Sequence, residues 1–445
     1  MHVDISVDCS GHFGCCTRCV TWRRKGIVHF LLAIFTAMND LFTRKSRIII
    51  TCNSRLSPWL TQEMMELGIE IERSFLTGVE ALGTLADCIP LNLRLRAASQ
   101  ILYSLDTFQA EHPDDVYEAV KKIAWEDILK DDGFFSVTSN VQHPTINNTM
   151  FTNLRVKDAI VDRIRDSKGT RPSSGSSAQG LVVHLFWKDG DAEIFIDSSG
   201  ESLARHGYRK IPGKAPMLEA LAFSTILATG WDRRSPFVNP MCGSGTLAIE
   251  AALLATNRYP GLFRNNYSFM HLRGYDDTLH QKSREEMEAA VNDQVDLQII
   301  ASDNSSGAIE NASLNALAAG VRKKIRFEVC DFAATPIPAT EKGVIFFNPE
   351  YGERLGEIPE LTEKYARIGD YLKNKCQNYT GFVFSGNFDL VKKIRLNPAR
   401  KIEFYNARID CRLFRYELYS GSRRKDRQDP VQAEPESGDV ASDPS

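Results

Sequence analysis

This sequence of 445 residues has no long apolar run, no strong net charge and no regular cysteine pattern. No stretch reaches the roughly 18 apolar residues of a membrane-spanning helix, so no membrane contact is expected. The net charge of −3 gives no overall attraction to nucleic acid, so RNA or DNA would have to bind through local basic surfaces. With 43% hydrophobic and 25% charged residues, the composition is that of a globular protein with two or three domains.

Only four of the ten cysteines cluster, within the segment CSGHFGCCTRC at 9–19. Thiols and the histidine of this segment are zinc ligand types, but no second CxxC or HxxxH pair follows, so we predict no metal site. The other six cysteines are scattered, as expected for reduced thiols in a cytoplasmic protein.

Both ends of the chain are predicted to be disordered, over 1–46 and over 421–445. The segment 21–37 resembles a signal peptide because basic residues precede an apolar stretch, but no convincing cleavage site follows it. A native start at Met38 is therefore a plausible alternative. The end of the chain is low-complexity, with a short basic run followed by acidic residues.

Two units that mix helices with strands follow the N-terminal extension. Strand patterns at 47–53 and 69–75 enclose a helical pattern at 59–68 and predict a small α+β domain over 47–110. A similar domain is predicted over 111–198, followed by a linker at 199–216. Its helix and strand patterns lie at 117–130, 134–139, 153–169, 181–187 and 192–197.

The predicted helix 153–169 has basic residues beside a buried stripe. Its apolar residues recur at every fourth position and should face the core: Val156, Ile160 and Ile164. Arg155 and Arg165 fall outside this stripe, and Lys157 lies at its margin. These charges form either an RNA-facing surface or a solvated helix face, and taken alone they favour the solvated face.

From 217 to 420, short apolar strands alternate with helical patterns, which predicts an α/β fold. The repeated order of strand then helix implies right-handed crossovers and a mostly parallel sheet covered on both faces. The last two strands, KIEFYNA and CRLFRYELY, are joined by a short loop and predict an antiparallel hairpin at the sheet edge. Such a doubly wound, Rossmann-like sheet is typical of nucleotide-cofactor domains.

The glycine-rich segment NPMCGSGTLAIEAA runs from a predicted strand into a predicted helix. Gly243 and Gly245 would let the backbone pass close to a ligand at the helix N-terminus. The segment also satisfies the nicotinamide pattern GxGxxA. A dinucleotide site, however, has its ribose-binding acid about 20 residues after the glycines, whereas Asp303 comes 58 residues after Gly245.

Polar residues end three successive predicted strands beside this glycine loop: Asp303, Asp331 and Asn348. Because parallel strands end at the same edge of a sheet, these residues should line one crevice. Each carboxylate alone could be a helix cap or a turn residue. Together, an acid for a ribose, an acid for an adenine and a reacting loop suit S-adenosylmethionine.

The segment NPEYGERLGE at 348–357 directly follows the apolar strand VIFF. The exocyclic amine of a base is a poor nucleophile, but acceptors that hold its hydrogens can steer its lone pair toward a methyl group. Asn348 offers a side-chain oxygen and Pro349 a carbonyl, while Tyr351 can stack on the base. Pro349 also restricts Asn348 to extended backbone angles. The alternative is a turn that merely ends the strand.

Six segments make the chain resemble the THUMP-domain class I RNA methyltransferases, specifically the bacterial 23S rRNA (guanine-N2)-methyltransferase-like family. The resemblance covers about 47–420. The segments are LNLRLRAASQIL at 91–102, VKDAIVDRIR with the following RP at 156–172, DSSGESLARHGYR at 197–209, KAPMLEALA at 214–222, NPMCGSGTLAIEAA at 239–252 and NPEYGERLG at 348–356.

The resemblance implies a ferredoxin-like domain over 47–110, a THUMP RNA-binding domain over 111–198 and a class I S-adenosylmethionine-dependent methyltransferase domain over 217–420. Its implied activity is methylation of guanine N2. The implied partner is RNA, with 23S rRNA expected and tRNA as the alternative, and no obligate protein partner is evident.

By position, the resemblance also implies three groups of site residues. The cofactor S-adenosyl-L-methionine would be bound by Asn239, Gly243, Gly245, Asp303 and Asp331. The catalytic loop would consist of Asn348, Pro349 and Tyr351. The candidates for RNA contact are Lys157, Arg171 and Arg209.

The chain departs from the family pattern at two positions, because the pattern has Asp in place of Asn239 and a second proline in place of Glu350. The first change removes a charge near the sulfonium or its hydrogen-bond network. The second removes a backbone restraint on Pro349 and adds a carboxylate near an anionic substrate. We expect a slowed enzyme. The alternatives are an inactive RNA-binding or ribosome-assembly factor and, more weakly, a nicotinamide oxidoreductase.

Overall fold

A computed structural model describes residues 40–144, 146, 149–213, 216–352 and 358–418. The cysteine cluster at 9–19, the segment 21–37 and the predicted tail 421–445 lie outside the described residues. The predicted extension 1–46 ends too late, because Asp40–Thr43 form a helix and a strand begins at Ser46. Tyr103 Oη donates to Arg44 O at 2.7 Å and fastens this start to the sheet.

The helices of the described residues are numbered in chain order. They are α1 Asp40–Thr43, α2 Ser57–Glu66, α3 Leu85–Arg94, α4 Pro113–Lys122, α5 Trp125–Ile128, α6 Thr149–Lys168, α7 Glu219–Thr229, α8 Thr246–Ala255, α9 Thr278–Ala289, α10 Ser306–Ala318, α11 Ile358–Lys375 and α12 Phe388–Lys392.

The strands of the described residues form two sheets. They are β1 Ser46–Thr51, β2 Arg73–Phe75, β3 Gly78–Gly83, β4 Gln100–Gln109, β5 Phe134–Gln142, β6 Ser173–Ser174, β7 Leu181–Lys188, β8 Asp191–Asp197, β9 Phe237–Pro240, β10 Ile299–Asp303, β11 Ile325–Val329, β12 Gly343–Phe347, β13 Tyr379–Ser385, β14 Arg400–Asn406 and β15 Ile409–Glu417.

The two predicted α+β units share one sheet, with the strand order β2-β3-β1-β4-β8-β7-β5-β6. They join where β4 pairs antiparallel with β8, from Leu102 opposite Asp197 to Gln109 opposite Asp191. The predicted stripe of α6 is confirmed, because Val156, Ile160 and Ile164 are all buried in the core. One continuous sheet therefore runs through both units.

The helix predicted over 117–130 is wrong at both ends, because the structure has α4, a break and the short α5. Pro113 starts α4, where its missing N–H costs nothing. Ile123 has extended backbone angles, so the chain turns and Trp125 enters the core. The Trp125 indole N–H donates to Val120 O at 2.8 Å, which satisfies the buried donor.

The C-terminal sheet has the order β11-β10-β9-β12-β13-β15-β14. Its first five strands are parallel, and β15 runs antiparallel to both β13 and β14. The predicted doubly wound sheet with an antiparallel edge hairpin is thus confirmed. Every residue of β12 is buried, as expected for a central strand covered on both faces.

Buried polar groups connect the N-terminal unit to helix α8 through His206 of the linker. The Glu63 carboxylate accepts the backbone N–H groups of Arg96 and Ala97 at 2.9–3.0 Å. His206 contacts Arg96 O through Nε2 at 2.9 Å and Glu250 Oε1 through Nδ1 at 2.8 Å. These hydrogen bonds fix the N-terminal unit against α8, the helix that follows the glycine loop.

Candidate active site

The glycine loop leaves β9 and enters α8 through backbone angles that favour glycine. Gly243 has φ +54° and Gly245 has φ +82°, and Gly245 precedes the first residue of α8. A Cβ built on Gly245 would lie 2.9 Å from the Ala312 Cβ, so this glycine lets α8 approach α10. A Cβ on Gly243 would point into open space, with no described atom within 4 Å. The loop is thus tightly packed on one side and open on the other.

Asp303 holds the open part of this loop. It ends β10, and its Oδ2 accepts the Gly243 N–H at 3.0 Å. Its Oδ1 accepts the N–H of Ser305 at 3.0 Å. The carboxylate therefore positions Gly243 and the start of α10 at once, which gives it a structural role beside the predicted ribose contact.

Asp331 lies two residues beyond β11 and is exposed. Its Oδ1 accepts the Ala333 N–H at 2.9 Å and a hydrogen bond from Arg367 Nη2 at 2.7 Å. Partial burial acts to raise the pKa of Asp331, but the hydrogen bonds from Ala333 and Arg367 outweigh it and hold the pKa below its usual value. The carboxylate is ionised at neutral pH and can accept hydrogen bonds from an exocyclic amine.

Two residues with amide side chains lie at the ends of the paired strands β9 and β12: Asn239 is in β9, and Asn348 directly follows β12. Asn239 is buried, and its Nδ2 donates to Phe346 O at 2.9 Å. Its Oδ1 and the Asn348 Oδ1 are buried oxygens without a hydrogen-bond partner among the described residues. A buried acceptor without a donor costs free energy, so both oxygens suit the N–H groups of bound ligands.

The segment after Asn348 is fixed on several sides. Pro349 is buried. Asn406 Nδ2 donates to Tyr351 Oη at 2.8 Å, and Asn387 Nδ2 donates to Tyr351 O at 3.2 Å. The Tyr351 ring is thereby tied to the turn of the β14–β15 hairpin. The edge hairpin predicted from the sequence thus supports the candidate catalytic loop. No local sequence pattern predicts this contact between Asn406 and Tyr351.

A further buried amide, which sequence reasoning missed, joins the linker to the glycine loop. Asn315 on α10 accepts the N–H groups of Lys210 and Ile211, both at 3.0 Å. Its Nδ2 donates to Ile211 O at 2.9 Å and to Ser244 O at 3.3 Å. The segment that leads out of the N-terminal unit therefore lies against the candidate cofactor loop. Asn315 shows no signal in the sequence because it is one of many polar residues on α10.

The predicted RNA contact of Arg209 does not fit its position. The side chain is only 13% exposed and lies 3.5 Å from the Glu219 carboxylate. Its Nη2 donates to Met217 O at 2.7 Å and to Thr246 Oγ1 at 2.9 Å. The guanidinium donors are thus engaged within the protein and are not available to RNA. Through these contacts Arg209 holds the linker against α7 and α8.

The other two predicted RNA contacts lie on or just after α6. Lys157 is partly exposed, with its Nζ 3.7 Å from Asp158, and Arg171 is exposed three residues beyond the helix. Other charges of α6 are paired, since Arg155 contacts Asp114 and Arg165 donates to Asp162 at 2.7 Å. This pairing reduces the basic character of the helix surface.

Comparisons with known proteins give the chain a family. Three family models match it in sequence order: the RlmL ferredoxin-like domain at 47–102, the THUMP domain at 110–197 and the RMKL-like methyltransferase domain at 206–415. A candidate RNA methyltransferase of Synechocystis is 34% identical over 358 residues, which cover 80% of this chain and 93% of that relative. The chain belongs to the THUMP-domain RNA methyltransferases.

Longer relatives are similar to the same extent. The ribosomal RNA large subunit methyltransferases K/L of Syntrophotalea carbinolica and Shewanella baltica are 35% and 33% identical, over 84% and 82% of this chain. The matches cover 53% and 52% of those proteins, so the chain spans about half of their length. The family assignment decides between methyl transfer and nicotinamide chemistry in favour of methyl transfer.

Solved structures share the fold. One is a candidate methyltransferase, SMU.472, which was crystallised with SAH. It superposes with a TM-score of 0.77 at 23% identity, and the match covers 85% of this chain and 99% of that one. A candidate methylase from Clostridium difficile gives 0.76 at 26% identity, covering 85% of this chain and 100% of that one. The predicted fold class and the cofactor S-adenosyl-L-methionine are confirmed for the family.

The described residues of this methyltransferase fit that cofactor. The open side of Gly243 and the unpartnered Asn239 Oδ1 offer a cradle and an acceptor at the end of β9. Asp303 and the ionised Asp331 follow at the ends of β10 and β11.

Within the described ranges no group of three or more metal-ligating side chains occurs, and no helix is long and apolar enough to cross a bilayer.

Proposed function

We propose that this methyltransferase transfers a methyl group from S-adenosyl-L-methionine to the exocyclic N2 of a guanine, in 23S rRNA. A guanine in tRNA is the alternative substrate. We further propose that the chain acts in the cytoplasm. The observation that carries the proposal is the buried, unpartnered Oδ1 of Asn348 at the end of β12, beside the glycine loop.

Asn348 and Pro349 supply the acceptors that an exocyclic amine needs. The amide oxygen of Asn348 and the carbonyl of Pro349 would hold the two hydrogens of the amine. The lone pair on nitrogen is then less conjugated with the ring and is directed toward the methyl group. It can attack this methyl group from the side opposite the sulfonium. Bound S-adenosyl-L-methionine supplies an electrophilic methyl on a sulfonium. Tyr351, held by Asn406, would stack on the base.

Asn239, Gly243, Gly245, Asp303 and Asp331 are proposed to bind the cofactor. The open face of Gly243 would accommodate its close approach, Asp303 would accept hydrogen bonds from the ribose hydroxyls, and Asp331 would accept one from the adenine amine. Because Asp303 also holds the Gly243 N–H, ribose binding and loop position are coupled.

Lys157 and Arg171 are proposed to contact the RNA backbone, whereas Arg209 is assigned to the linker. The exposed position of Arg171 supports this role. With the net charge of −3, binding would depend on few phosphate contacts. We therefore expect RNA affinity to fall only moderately with rising salt.

Mass spectrometry of nucleosides from rRNA and tRNA tests the substrate. A strain that lacks the gene is expected to lose one N2-methylguanosine from 23S rRNA, and the intact gene should restore it. Asn348→Ala should fail to restore it, whereas Asn374→Ala, at an exposed position of α11, should succeed. Loss of the nucleoside from tRNA alone would select the alternative substrate, and no change in either RNA would refute the proposal.

The second candidate is an inactive RNA-binding or ribosome-assembly factor, for which Glu350 and Asn239 are the motivation. The contacts of both residues weaken it. Asn239 donates to Phe346 O, and the Glu350 carboxylate is paired with Lys364. This candidate would be favoured if the purified parent protein binds RNA without methylating it and the Glu350→Pro variant methylates it.

A further inference from the structure

Glu350 follows the two proposed acceptors, and its side chain points to α11. Lys364 Nζ lies 3.0 Å from Glu350 Oε2, with the two side chains 31% and 64% exposed. An ion pair at this exposure contributes little free energy. It does offset the negative charge that Glu350 would otherwise present to RNA phosphates.

The backbone of Glu350 is held by the next residue of α11. The Tyr365 hydroxyl donates to Glu350 O at 3.2 Å and lies 2.9 Å from Ser385 Oγ. Tyr365 is fully buried, so loss of its hydroxyl would leave the Glu350 carbonyl without this donor. This second contact is therefore the stronger restraint of the two.

Ser385 and Asn387 extend this contact beyond Tyr365. The Asn387 N–H donates to Ser385 Oγ at 3.1 Å. The Tyr365 and Ser385 hydroxyls share a hydrogen bond in which either can be the donor, and the Ser385 hydroxyl can also donate to Asn387 O at 3.4 Å. A chain of three hydrogen bonds thus runs from the end of β13 to the candidate catalytic loop. Asn387, two residues beyond β13, also donates to Tyr351 O through its side chain, so both residues after Pro349 are held by hydrogen bonds that involve the segment at the end of β13.

We propose that Lys364 and Tyr365 are positioning residues, which hold Glu350 so that the Pro349 carbonyl and the Asn348 amide keep the geometry for methyl transfer. The inference rests on the proposed function. Without a proline at 350, Pro349 has a wider choice of backbone angles, and the two contacts from α11 narrow it again. Lys364 in addition lowers the repulsion between Glu350 and RNA.

Tyr365→Phe tests the backbone contact, because it removes only the hydroxyl. We expect kcat to fall about tenfold, with little change in the KM for S-adenosyl-L-methionine. Tyr379→Phe is the matched control, since the Tyr379 hydroxyl donates to Pro338 O at 2.8 Å at the opposite end of β13. A decrease in kcat no larger than that of Tyr379→Phe would overturn the proposal.

A double-mutant cycle separates positioning from a general loss of stability. A proline at 350 supplies a restraint of its own, so the effect of Tyr365→Phe should shrink from about tenfold to about threefold in the Glu350→Pro background. Equal effects in both backgrounds would show that the hydroxyl does not act through the loop.

Lys364→Met tests the charge contact. We expect the KM for RNA to rise about threefold at low salt, and less at high salt. Lys373→Met, at an exposed position of the same helix, is the control and should leave the KM unchanged. Equal behaviour of the two variants would contradict the role of Lys364.

Amide hydrogen exchange makes the proposal testable apart from activity. Exchange at 350–352 should quicken about tenfold in Tyr365→Phe and remain as in the parent in Tyr379→Phe. If no guanine is methylated but exchange responds in this way, the proposed function fails and the restraint stands. If the parent methylates guanine and neither exchange nor kcat responds, the restraint fails alone.

Discussion

At the scale of single residues, two glycines of one loop have different tasks. Both have positive φ, but Gly245 faces Ala312 at contact distance, whereas Gly243 faces open space. An L-residue in this region of backbone angles costs about 1 kcal/mol. A Cβ at Gly245 must in addition displace α10. A substitution at Gly243 would therefore cost only backbone strain, whereas a substitution at Gly245 would cost backbone strain and a clash with Ala312.

Alanine at each glycine should therefore give distinct results. We expect Gly245→Ala to lower both the free energy of unfolding and the affinity for S-adenosylhomocysteine. Gly243→Ala should cost only about 1 kcal/mol of stability and yet weaken the affinity at least tenfold, because its methyl occupies the open side of the loop. Denaturant unfolding and calorimetric titration measure the two quantities. Gly230→Ala, also at positive φ with no described neighbour within 4 Å, is the control for strain.

Asn239 is a second residue whose role the structure sharpens. Its amide donates to Phe346 O, which a carboxylate cannot do. We expect Asn239→Asp to lower the free energy of unfolding by about 1–3 kcal/mol at pH 8, because a buried carbonyl loses its donor. Urea unfolding checks this, with the exposed Asn374→Asp as the control. Unchanged stability would show that the Phe346 contact is dispensable.

At the scale of elements, side chains of helices α10 and α11 hold the loops that form the candidate active site. Asn315 on α10 holds the linker against the glycine loop, and Arg367 on α11 holds Asp331. One turn earlier, Lys364 and Tyr365 contact Glu350. The helices thus position cofactor residues and catalytic loop without providing a predicted site residue themselves.

Removal of the Asn315 amide should loosen the linker. Asn315→Ala leaves the N–H groups of Lys210 and Ile211 without their acceptor, which costs about 1–3 kcal/mol. We expect a weaker affinity for S-adenosylhomocysteine, since Ser244 also loses a contact, and faster hydrogen exchange at 210–213. Asn311→Ala, one turn earlier on α10, is the control. A stable variant with unchanged exchange would contradict this role.

At the scale of the whole molecule, buried polar groups determine how the N-terminal unit meets the methyltransferase domain. His206 Nε2 donates to the Arg96 carbonyl, and Nδ1 faces the Glu250 carboxylate. Burial alone would lower the pKa of His206, but Glu250 and the Arg96 carbonyl outweigh it and raise the pKa above its usual value. Charged neighbours at this junction include Glu63, Arg96 and Glu219.

Stability should therefore depend on pH through His206. A histidine with a raised pKa in the folded state stabilises fully below its unfolded pKa of about 6.5, and this contribution disappears as pH rises through the folded value. We expect the difference in unfolding free energy between the parent and His206→Asn to be largest near pH 6 and smaller at pH 9. Unfolding by urea at several pH values measures it. The exposed Asn374→Ala, which changes no titratable group, should show no such trend.

Local patterns predicted much of the fold and of the candidate site. The alternation of apolar strands with helices gave the parallel sheet and its edge hairpin. Polar residues at strand ends located Asp303, Asp331 and Asn348, because parallel strands end at one edge. Patterns failed where a tertiary contact overrode them, as at Ile123, where the chain breaks a helix to bury Trp125.

By itself, the sequence determined the order of elements, the glycine loop and the position of the reacting segment, since each depends on residues close together in the chain. Only the tertiary structure decided that β4 and β8 join two units in one sheet. It also decided that Arg209 is engaged in the linker and that Lys364 and Tyr365 hold Glu350. These contacts depend on how the elements pack, which no local period or turn signal specifies.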